Sequence, residues 1–310
     1  MRILAVLPPF LPIDAIRNNV QSILPGVNIR TDADFSRDDC EVLIITTFTK
    51  VDSELLERLP SLKFIQVAST GYDNVDLESV RKKGIMLSNA PSSNKESVAE
   101  HVIGMVLYFL KDFSFLDQEL RRGNWPMLTG SREMKGKTFG IIGMGAIGRR
   151  LVERLLPFEP GIVYYDPRKL DPDDEASLGV SFLELDELIS ESDIISIHVP
   201  LTPDTRNMLG EERIEKLKDG AILINTARGE VVDEQALIRA VKEKGVKAGI
   251  DVYVTEPPDF SSEIFRLDGV LLSPHIAGVT VESQQRFLQE TIANVIRYVQ
   301  GVNPINVVVE

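Results

Sequence analysis

Short apolar runs alternate with stretches of helical periodicity through the first 90 residues of the chain. The runs that predict strands are Ile3–Leu7, Val27–Arg30, Val42–Thr46, Phe64–Val67 and Ile85–Leu87. The segments that predict helices, with apolar residues three and four positions apart, are Ile13–Leu24, Asp52–Leu59 and Asp76–Lys82. Strands that alternate with helices in this way are typical of a parallel sheet covered on both faces.

The same alternation resumes after a break at Gly123–Pro126. The predicted strands are Phe139–Ile142, Ile162–Tyr165, Ile194–Val199, Ala221–Asn225, Lys247–Asp251 and Val270–Leu272. The predicted helices are Ala146–Leu156, Glu184–Ser190, Glu211–Leu217, Asp233–Lys244 and Val281–Gln300. The pattern therefore predicts an α/β protein with two doubly wound, parallel-sheet domains.

A long helix, Ser97–Leu110, is predicted between the two series and carries few charges. Its apolar residues occupy more than one face, which indicates burial between layers or at a subunit contact. We therefore expect a homodimer built largely around this helix. The last helix and the tail Pro304–Val308 are expected to return to the first domain, which makes that domain discontinuous.

One stretch, Lys137–Pro167, combines a strand, a glycine turn, a helix, a second strand and a terminal acid. Gly143, Gly145 and Gly148 have G-x-G-x-x-G spacing after the first strand, and Asp166 follows eighteen residues further on. A glycine turn alone is weak evidence, because such turns also join strands to helices without binding a ligand. Together with the flanking strand and helix and the acid, this turn favours a dinucleotide-binding unit in which Asp166 accepts hydrogen bonds from the ribose.

Each glycine of this turn has its own predicted task. Gly143 allows the tight turn, Gly145 lets the backbone approach a pyrophosphate, and Gly148 lets the helix pack closely on the strand. Ala146 and Ile147 begin the helix, whose unpaired N–H groups and positive dipole end attract an anion. The predicted cofactor is NAD.

Composition and charge narrow the classes of partner. With 310 residues, 43% of them hydrophobic, the chain is long enough for two domains with sizeable cores. The net charge of 34 − 47 = −13 argues against nucleic acid or an anionic membrane as the main partner. An anionic substrate then needs a locally positive pocket. The single cysteine, Cys40, excludes an internal disulfide and fits a reducing compartment.

The N-terminal segment Met1–Pro12 is apolar enough to suggest a signal peptide. However, Pro8, Pro9 and Pro12 interrupt its apolar run, and it lacks a small-residue cleavage site. We therefore interpret it as the first strand. Since no apolar run reaches the length of a membrane span, we expect a cytoplasmic protein. No metal site is predicted.

The chain has three histidines, so the search for an acid–base residue is short. His101 lies inside the apolar helix, where a structural role is the stronger interpretation. His198 ends a predicted strand just before Pro200, at a sheet edge where a cofactor contact is expected. His275 follows the last strand in a loop bounded by proline and glycine, and it is the best candidate for a general acid–base residue.

Other polar residues also follow predicted strands. Arg228 follows the strand that ends at Asn225, and Asp251 and Glu256 come at and after the end of the next strand. Taken singly, Arg228 suits a surface ion pair and Glu256 a turn or helix cap. Because the carboxyl ends of parallel strands share one edge of a sheet, the three side chains are expected to converge on one cleft.

These segments resemble the NAD-dependent D-isomer-specific 2-hydroxyacid dehydrogenases. The matching segments are 69–76 (STGYDNVD), 97–107 (SVAEHVIGMVL), 140–150 (GIIGMGAIGRR), 192–209 (SDIISIHVPLTPDTRNML), 224–237 (INTARGEVVDEQAL), 249–258 (GIDVYVTEPP) and 273–278 (SPHIAG). They follow the family's order over most of the chain, so the resemblance is specific. It implies a flavodoxin-like substrate domain, residues 1–96 plus 283–310, and a Rossmann NAD-binding domain, residues 97–282.

The resemblance also implies roles for individual residues. Arg228 corresponds to the arginine that binds the substrate carboxylate, His275 to the acid–base histidine, and Glu256 to the glutamate that orients it. The residues placed against the substrate are Ser69, Thr70 and Gly71. Those placed along the cofactor, besides the glycine turn, are Asp166, His198, Pro200, Thr226 and Asp251.

The expected activity is reversible hydride transfer between NAD(H) and a small D-2-hydroxy or 2-keto acid, with glyoxylate and hydroxypyruvate the leading substrates. The alternative substrate class is 3-phosphoglycerate, whose dehydrogenases usually have an arginine where this chain has Thr46. Lys50 and Arg132 are the residues that would replace its charge. The chain ends at Glu310 without the regulatory domain of many of those enzymes, which favours the unphosphorylated acids.

A hypothesis from another class comes from the same resemblance, which extends to NAD-binding transcriptional corepressors. These proteins keep the three catalytic-type residues and act mainly through partner proteins. The chain shows no long disordered tail, which favours the enzyme. Turnover of any 2-keto acid distinguishes the two.

Overall fold

The computed structural model describes residues 1–9, 11, 13–127 and 130–310, apart from the Ala15 side chain. Pro12, part of the N-terminal proline pattern, lies outside the described residues. Backbone contacts divide the chain into two compact units. Unit 1 comprises Met1–Asn94 and Thr280–Glu310, and unit 2 comprises Lys95–Val279. The predicted domain boundaries, after residues 96 and 282, lie two and three residues from these divisions.

Unit 1 is built on a sheet that has six strands among its described residues, in the order β13-β5-β4-β3-β1-β2. The strands are β1 (Ile3–Val6), β2 (Asn28–Arg30), β3 (Val42–Ile45), β4 (Phe64–Val67), β5 (Met86–Ser88) and β13 (Val307–Val309). The first five are parallel, and β13 is antiparallel to β5. The order β2-β1-β3-β4-β5 is that of a flavodoxin-like fold, as the family resemblance implies.

The helices of unit 1 lie on both faces of this sheet, packed on two separate cores. They are α1 (Ile13–Ile23), α2 (Ser53–Glu57), α3 (Leu77–Lys82) and α11 (Val281–Val299). Asp52 and Asp76 cap α2 and α3 by accepting hydrogen bonds from backbone N–H groups. Thr280 and Ser283 form a capping box at the start of α11.

The C-terminal tail returns to the sheet of unit 1 as strand β13, which the sequence predicted only as a packing contact. A buried asparagine on α11, Asn294, holds the tail in place. Its side-chain amide donates to Gln66, Ser88 and the carbonyl of Ile305, and its Oδ1 accepts from the Ile305 N–H at 2.8 Å. The two ends of the chain therefore belong to one sheet.

Unit 2 is built on a sheet of seven parallel strands among its described residues, in the order β12-β11-β10-β9-β6-β7-β8. The strands are β6 (Thr138–Ile142), β7 (Gly161–Tyr165), β8 (Val180–Phe182), β9 (Ile194–Ile197), β10 (Ile222–Asn225), β11 (Lys247–Ile250) and β12 (Val270–Leu272). The order reverses between β6 and β9, as in a Rossmann fold. Ligands bind such sheets at the carboxyl ends of the strands beside this reversal.

The helices of unit 2 are α4 (Lys95–Leu110), α5 (Phe113–Arg121), α6 (Ala146–Leu155), α7 (Pro172–Leu178), α8 (Leu185–Glu191), α9 (Glu211–Ile214) and α10 (Glu234–Lys244). Helix α4 packs on α6, β10 and β11. Short 3₁₀ helices lie at Leu156–Phe158, Gly229–Val231 and Glu263–Arg266. No described helix is both long enough and apolar enough to cross a membrane.

Three elements of unit 2 do not follow from the hydrophobic pattern. The sequence of α7, PDDEASL, has no apolar stripe, so periodicity gives no signal there. Its ends are nevertheless marked by Pro172 in the first turn and by Gly179 at the C-cap. Strand β8 is only three residues long, and α5 carries aromatic residues that stay exposed, such as Phe113 and Phe115.

Candidate active site

The glycine turn lies between β6 and α6, at the point where the strand order of unit 2 reverses. Gly143 has φ +100°, in the left-handed region that favours glycine. Its N–H donates to the carbonyl of Tyr165 at 2.8 Å. A Cβ at this position would lie 2.7 Å from the carbonyl oxygen of His198, so the turn packs tightly against the end of β9.

The other two glycines of the turn differ in the space around them. A Cβ at Gly148 would lie 2.3 Å from the carbonyl oxygen of Gly143, so the helix approaches the turn closely. At Gly145, the N-cap of α6, a Cβ would meet nothing within 4 Å. Since the first N–H groups of a helix have no intrahelical partner, the open surface beside Gly145, Ala146 and Ile147 fits an anionic group such as a pyrophosphate.

Asp166 lies beside the turn, just after β7. Its carboxylate accepts hydrogen bonds from the N–H groups of Met144 at 2.8 Å and Arg168 at 2.9 Å. A carboxylate has about four lone-pair sites, so further acceptor positions are left for hydroxyl groups of a ribose. The residue therefore stabilises the glycine turn and presents an acid next to it.

Three other predicted cofactor residues also follow strands of this sheet. Nε2 of His198 lies 2.9 Å from the Ser196 hydroxyl, and burial of the ring lowers the pKa of His198 to about 3. Pro200 follows on the exposed surface, and its carbonyl accepts a hydrogen bond from Thr205. The hydroxyl oxygen of Thr226 is buried without a protein partner, so it is available to a ligand group.

The predicted acid–base residue and its glutamate are in direct contact. Nδ1 of His275 lies 2.6 Å from Oε2 of Glu256. Partial burial acts to raise the pKa of Glu256. The hydrogen bonds from His275 and from the Tyr253 N–H, together with the charges of His275 and Arg228, outweigh this effect and lower its pKa. Glu256 therefore stays ionised at pH values below the usual pKa of a glutamate carboxyl group.

Arg228 is placed by a short, well-defined loop after β10. Asn225 organises this loop, since its side chain donates to the Arg228 carbonyl and accepts from the Ala227 N–H. A Cβ at Gly229 would lie 2.1 Å from the carbonyl carbon of Tyr253, so the Arg228 loop lies directly against the loop that carries Glu256. The structure therefore brings Arg228 and Glu256 to adjacent loops, and the charge of Arg228 acts on Glu256.

Asp251, at the end of β11, holds the backbone around His275. Its carbonyl accepts from the His275 N–H at 2.7 Å, and its carboxylate accepts from the N–H groups of Ile276 and Ala277 at 2.9 and 2.8 Å. Three consecutive N–H groups thus bond to one buried residue. The hydroxyl of Ser273 donates to the same carboxylate at 2.5 Å.

Ser69, Thr70 and Gly71 form a loop after β4 in unit 1. The Ser69 hydroxyl donates to the Gly71 carbonyl at 3.1 Å, and the Thr70 hydroxyl lies 2.8 Å from Oδ1 of Asn94. Asn89 donates to the Thr70 carbonyl at 2.7 Å. These hydrogen bonds hold the loop in a defined conformation within unit 1.

Two residues near the acid–base loop were not predicted as site residues. His101 was interpreted as structural, and Ser273 was not considered on its own. In the structure, Nε2 of His101 lies 3.1 Å from the Ser273 hydroxyl oxygen. Ser273 directly follows β12 and precedes Pro274 and His275. This position at a strand end is the sequence feature that could have indicated a site residue. Among the described residues, no group of three or more His, Cys, Asp and Glu side chains could hold a metal ion.

The glycine turn at the reversal of strand order, with a carboxylate-paired histidine and an arginine after neighbouring strands, defines a dinucleotide-dependent dehydrogenase as the class of protein. Comparison with known proteins gives the family. Residues 103–277 match the family model described as D-isomer specific 2-hydroxyacid dehydrogenase, NAD binding domain.

Individual relatives agree with this match. A glyoxylate reductase from Thermofilum pendens is 37% identical, covering 86% of this chain and 80% of that protein. A hydroxypyruvate reductase from Thermotoga maritima is 39% identical, covering 84% of this chain and 85% of that protein. D-3-phosphoglycerate dehydrogenases also match, at 34% and 38% identity.

The fold is likewise similar to that of a solved structure. A D-lactate dehydrogenase from Aquifex aeolicus, complexed with NAD and lactic acid, superposes with a TM-score of 0.90 at 32% identity. The match covers 100% of this chain and 99% of that chain. The chain belongs to the D-isomer-specific 2-hydroxyacid dehydrogenases, and it is an NAD-dependent oxidoreductase acting on 2-hydroxy and 2-keto acids.

Proposed function

We propose that this enzyme reduces glyoxylate or hydroxypyruvate with NADH, and that His275, Glu256 and Arg228 are its catalytic residues. The observation that carries the proposal is the 2.6 Å contact between His275 and Glu256, together with the position of the Glu256 loop against the loop of Arg228. An acid–base histidine needs a carboxylate to orient it, and an acid substrate needs a fixed cation. These three residues supply both.

Each catalytic residue has a distinct task. Arg228 binds the substrate carboxylate through a charge-assisted, two-point contact that its planar guanidinium favours. Since Nδ1 of His275 faces Glu256, the other ring nitrogen, Nε2, donates the proton to the keto oxygen. Glu256 stabilises the imidazolium and fixes the ring orientation. NADH, when bound, supplies the hydride.

The cofactor is held by unit 2, which we assign as the NAD-binding domain. The open surface at Gly145 and the N-terminus of α6 fit the pyrophosphate, and Asp166 fits the adenosine ribose. The buried hydroxyl of Thr226 fits the polar end of the nicotinamide. The full set of proposed cofactor residues is Gly143, Gly145, Ala146, Ile147, Gly148, Asp166, His198, Pro200, Thr226 and Asp251.

Unit 1 is proposed as the substrate domain, with Ser69, Thr70 and Gly71 as the residues that meet the substrate. The loop is fixed by hydrogen bonds to Ala90 and Asn94, so it is preorganised before a ligand binds. Substitution of Thr70 by valine keeps the shape and removes the hydroxyl. We expect a higher KM for the keto acid with an unchanged KM for NADH.

The substrate is proposed to be unphosphorylated because Thr46, where phosphoglycerate dehydrogenases usually have an arginine, carries no charge. Lys50, the nearby alternative cation, is highly exposed and pairs with Asp52 at 3.1 Å. The chain's net charge of −13 adds long-range repulsion against a dianionic ligand. The test is kcat/KM for glyoxylate, hydroxypyruvate and 3-phosphohydroxypyruvate in one buffer. A preference of about tenfold or more, roughly 1.4 kcal/mol, for the phosphorylated acid would overturn the proposal.

A homodimer is proposed on the surface formed by α4 and α5. One face of α4 packs inside unit 2, whereas the exposed apolar side chains lie on α5 and the loop after it: Phe113, Phe115, Leu120, Trp125 and Met127. Large exposed apolar residues in one region are typical of a protein–protein interface. Sedimentation should give a dimer at micromolar concentration. The Leu120→Asp variant is expected to shift it toward monomer, and a monomeric wild type would refute the assignment.

A cytoplasmic location is also proposed. The single cysteine, Cys40, is buried, and burial raises the pKa of its thiol to about 12, so it is not a reactive thiolate. Fractionation of cells that express the protein tests this assignment.

A further inference from the structure

A polar relay lies behind the loop that carries His275. Nε2 of His101, on helix α4, lies 3.1 Å from Oγ of Ser273. The Ser273 hydroxyl donates to Oδ1 of Asp251 at 2.5 Å, and Asp251 is 1% exposed. A serine hydroxyl has one hydrogen, which is used toward Asp251. The contact between His101 and Ser273 is therefore a hydrogen bond in which the Nε2–H of His101 donates.

Ser273 itself is held at its backbone. Its N–H donates to the Ile250 carbonyl at 2.9 Å, and its carbonyl accepts from the Tyr253 hydroxyl at 3.1 Å. The Tyr253 N–H in turn donates to Oε1 of Glu256 at 3.1 Å. With its backbone fixed, the side chain of Ser273 can still rotate about Cα–Cβ and about Cβ–Oγ, and its contacts with Asp251 and His101 together select one orientation.

The far end of the relay is the backbone of the acid–base loop. His275 has φ 55°, a left-handed conformation that is uncommon for residues other than glycine. The holding contacts are the hydrogen bonds from the N–H groups of residues 275–277 to Asp251. The backbone of Asp251 holds the His275 N–H, and its carboxylate holds the next two residues, so the orientation of the carboxylate affects the backbone that places the His275 ring.

We propose that His101 is a positioning residue for His275. It donates a hydrogen bond to Ser273, which aligns the serine hydroxyl with Asp251 and so fixes the Asp251 carboxylate against loop 273–277. The inference rests on the proposed function in one respect, since its consequence for turnover requires His275 to be the acid–base residue. The positioning itself is measured independently of turnover.

The experiment uses the three histidines of the chain, which give a simple NMR spectrum after ¹⁵N-histidine labelling. The ring nitrogens and the Nδ1 proton of His275 are compared in four proteins: wild type, His101→Leu, His101→Gln and Ile103→Ala. Glutamine keeps an N–H donor, and leucine removes it. Ile103→Ala is the matched control, because it removes apolar packing from the same helix without touching the relay.

In His101→Leu, the His275 ring signals are expected to move and the Nδ1 proton to broaden, because its hydrogen bond to Glu256 is loosened. Turnover of the keto acid should fall roughly tenfold, with an unchanged KM for NADH. His101→Gln should restore both signals and turnover. Ile103→Ala should leave the His275 signals in place.

Ser273→Ala tests the middle of the relay, and it also serves if His101→Leu fails to fold. It should move the same His275 signals, and adding His101→Leu to it should cause little further change. His275 signals that stay in place in a folded His101→Leu or Ser273→Ala protein would overturn the proposal, as would equal shifts in Ile103→Ala. If wild type turns over no keto acid, the proposed function fails while the NMR comparison still decides the positioning role.

Discussion

Nδ1 of His275 lies 2.6 Å from Oε2 of Glu256, although nineteen residues separate them in the chain. The two residues lie on the loops that follow β11 and β12, neighbouring parallel strands whose carboxyl ends share one edge of the sheet. The contact uses one ring nitrogen and leaves the other for a substrate. The contact is therefore the arrangement expected of the acid–base histidine that we propose.

Replacing His275 by alanine should lower kcat by roughly 10²–10⁴-fold, the usual contribution of a positioned acid–base residue. Glu256→Gln should cause a smaller loss, because the ring keeps a hydrogen-bond partner while the imidazolium loses a neighbouring charge. Steady-state kinetics with hydroxypyruvate and NADH measure both effects. His101→Ala, in a folded protein, should be less damaging than His275→Ala, and the reverse order would refute the assignment.

Replacing Arg228 by alanine should raise KM for the keto acid by roughly ten- to a hundredfold, since a hydrogen-bonded charge pair is lost. The Kd for NADH should change little. Arg228→Lys keeps the charge and loses the planar two-point contact, so it should lie between alanine and wild type. The control is Arg206→Ala, which removes an exposed arginine paired with Glu230 at 3.8 Å and should leave KM unchanged. An unchanged KM in Arg228→Ala would exclude the proposed role.

Two of the three glycines of the dinucleotide turn allow a paired test. Gly148→Ala places a Cβ 2.3 Å from a backbone oxygen, so it should destabilise the protein by about 1–3 kcal/mol or more. Gly145→Ala meets open space, so its Tm should stay close to that of wild type while the Kd for NADH rises. Thermal unfolding without cofactor and NADH titration separate the two effects. Tight NADH binding by Gly145→Ala would show that the pyrophosphate lies elsewhere.

Much of the fold follows from the sequence because most strands are continuous apolar runs buried on both faces. The runs in β1, β3, β4 and β9 are fully buried in the structure, and the predicted strands there begin at the observed residues. Elements without a buried apolar stripe, such as α7, give no periodic signal and are missed. Their start and stop residues, Pro172 and Gly179, carry local information that hydrophobicity does not.

The candidate site also has a part that the sequence predicts and a part that it does not. The strand ends place Arg228 and His275 at one sheet edge from sequence alone. The relay from His101 through Ser273 to Asp251 was not predicted, because it joins a helix to a loop 172 residues later through a single hydroxyl. Such a contact depends on how α4 packs against β11, and hydrophobic periodicity does not specify that distance.

His198 predicts a pH dependence of stability. Burial lowers its pKa from 6.5 to about 3, so between these values the unfolded chain binds a proton that the folded protein excludes. Stability therefore falls as the pH drops below 6.5, and this group contributes up to about 1.4 kcal/mol per pH unit. His198→Gln should reduce the dependence of the unfolding free energy on pH by that amount. Urea unfolding of the cofactor-free protein between about pH 5 and pH 7.5 measures it, and identical slopes would contradict the prediction.

Cofactor choice depends on the carboxylate of Asp166 and its neighbour Arg168. Asp166 accepts hydrogen bonds from two backbone N–H groups, so its carboxylate is fixed beside the glycine turn. A 2′-phosphate on the ribose would meet a like charge there, whereas a 2′-hydroxyl would meet an acceptor. Arg168 is exposed two residues further on and is a cation that could pair with a phosphate.

We therefore expect a higher kcat/KM with NADH than with NADPH. Asp166→Asn keeps an acceptor for the Met144 N–H and removes the charge, so it should narrow the preference without unfolding the turn. Adding Arg168→Ala to Asp166→Asn should restore part of the preference by removing the cation available to the 2′-phosphate. Both effects are read as the ratio of kcat/KM for the two cofactors at fixed keto acid, with Tm as the check on folding. Equal or better use of NADPH by the wild type would contradict the role given to Asp166. An unchanged ratio in Asp166→Asn would show that the ribose does not lie against this carboxylate.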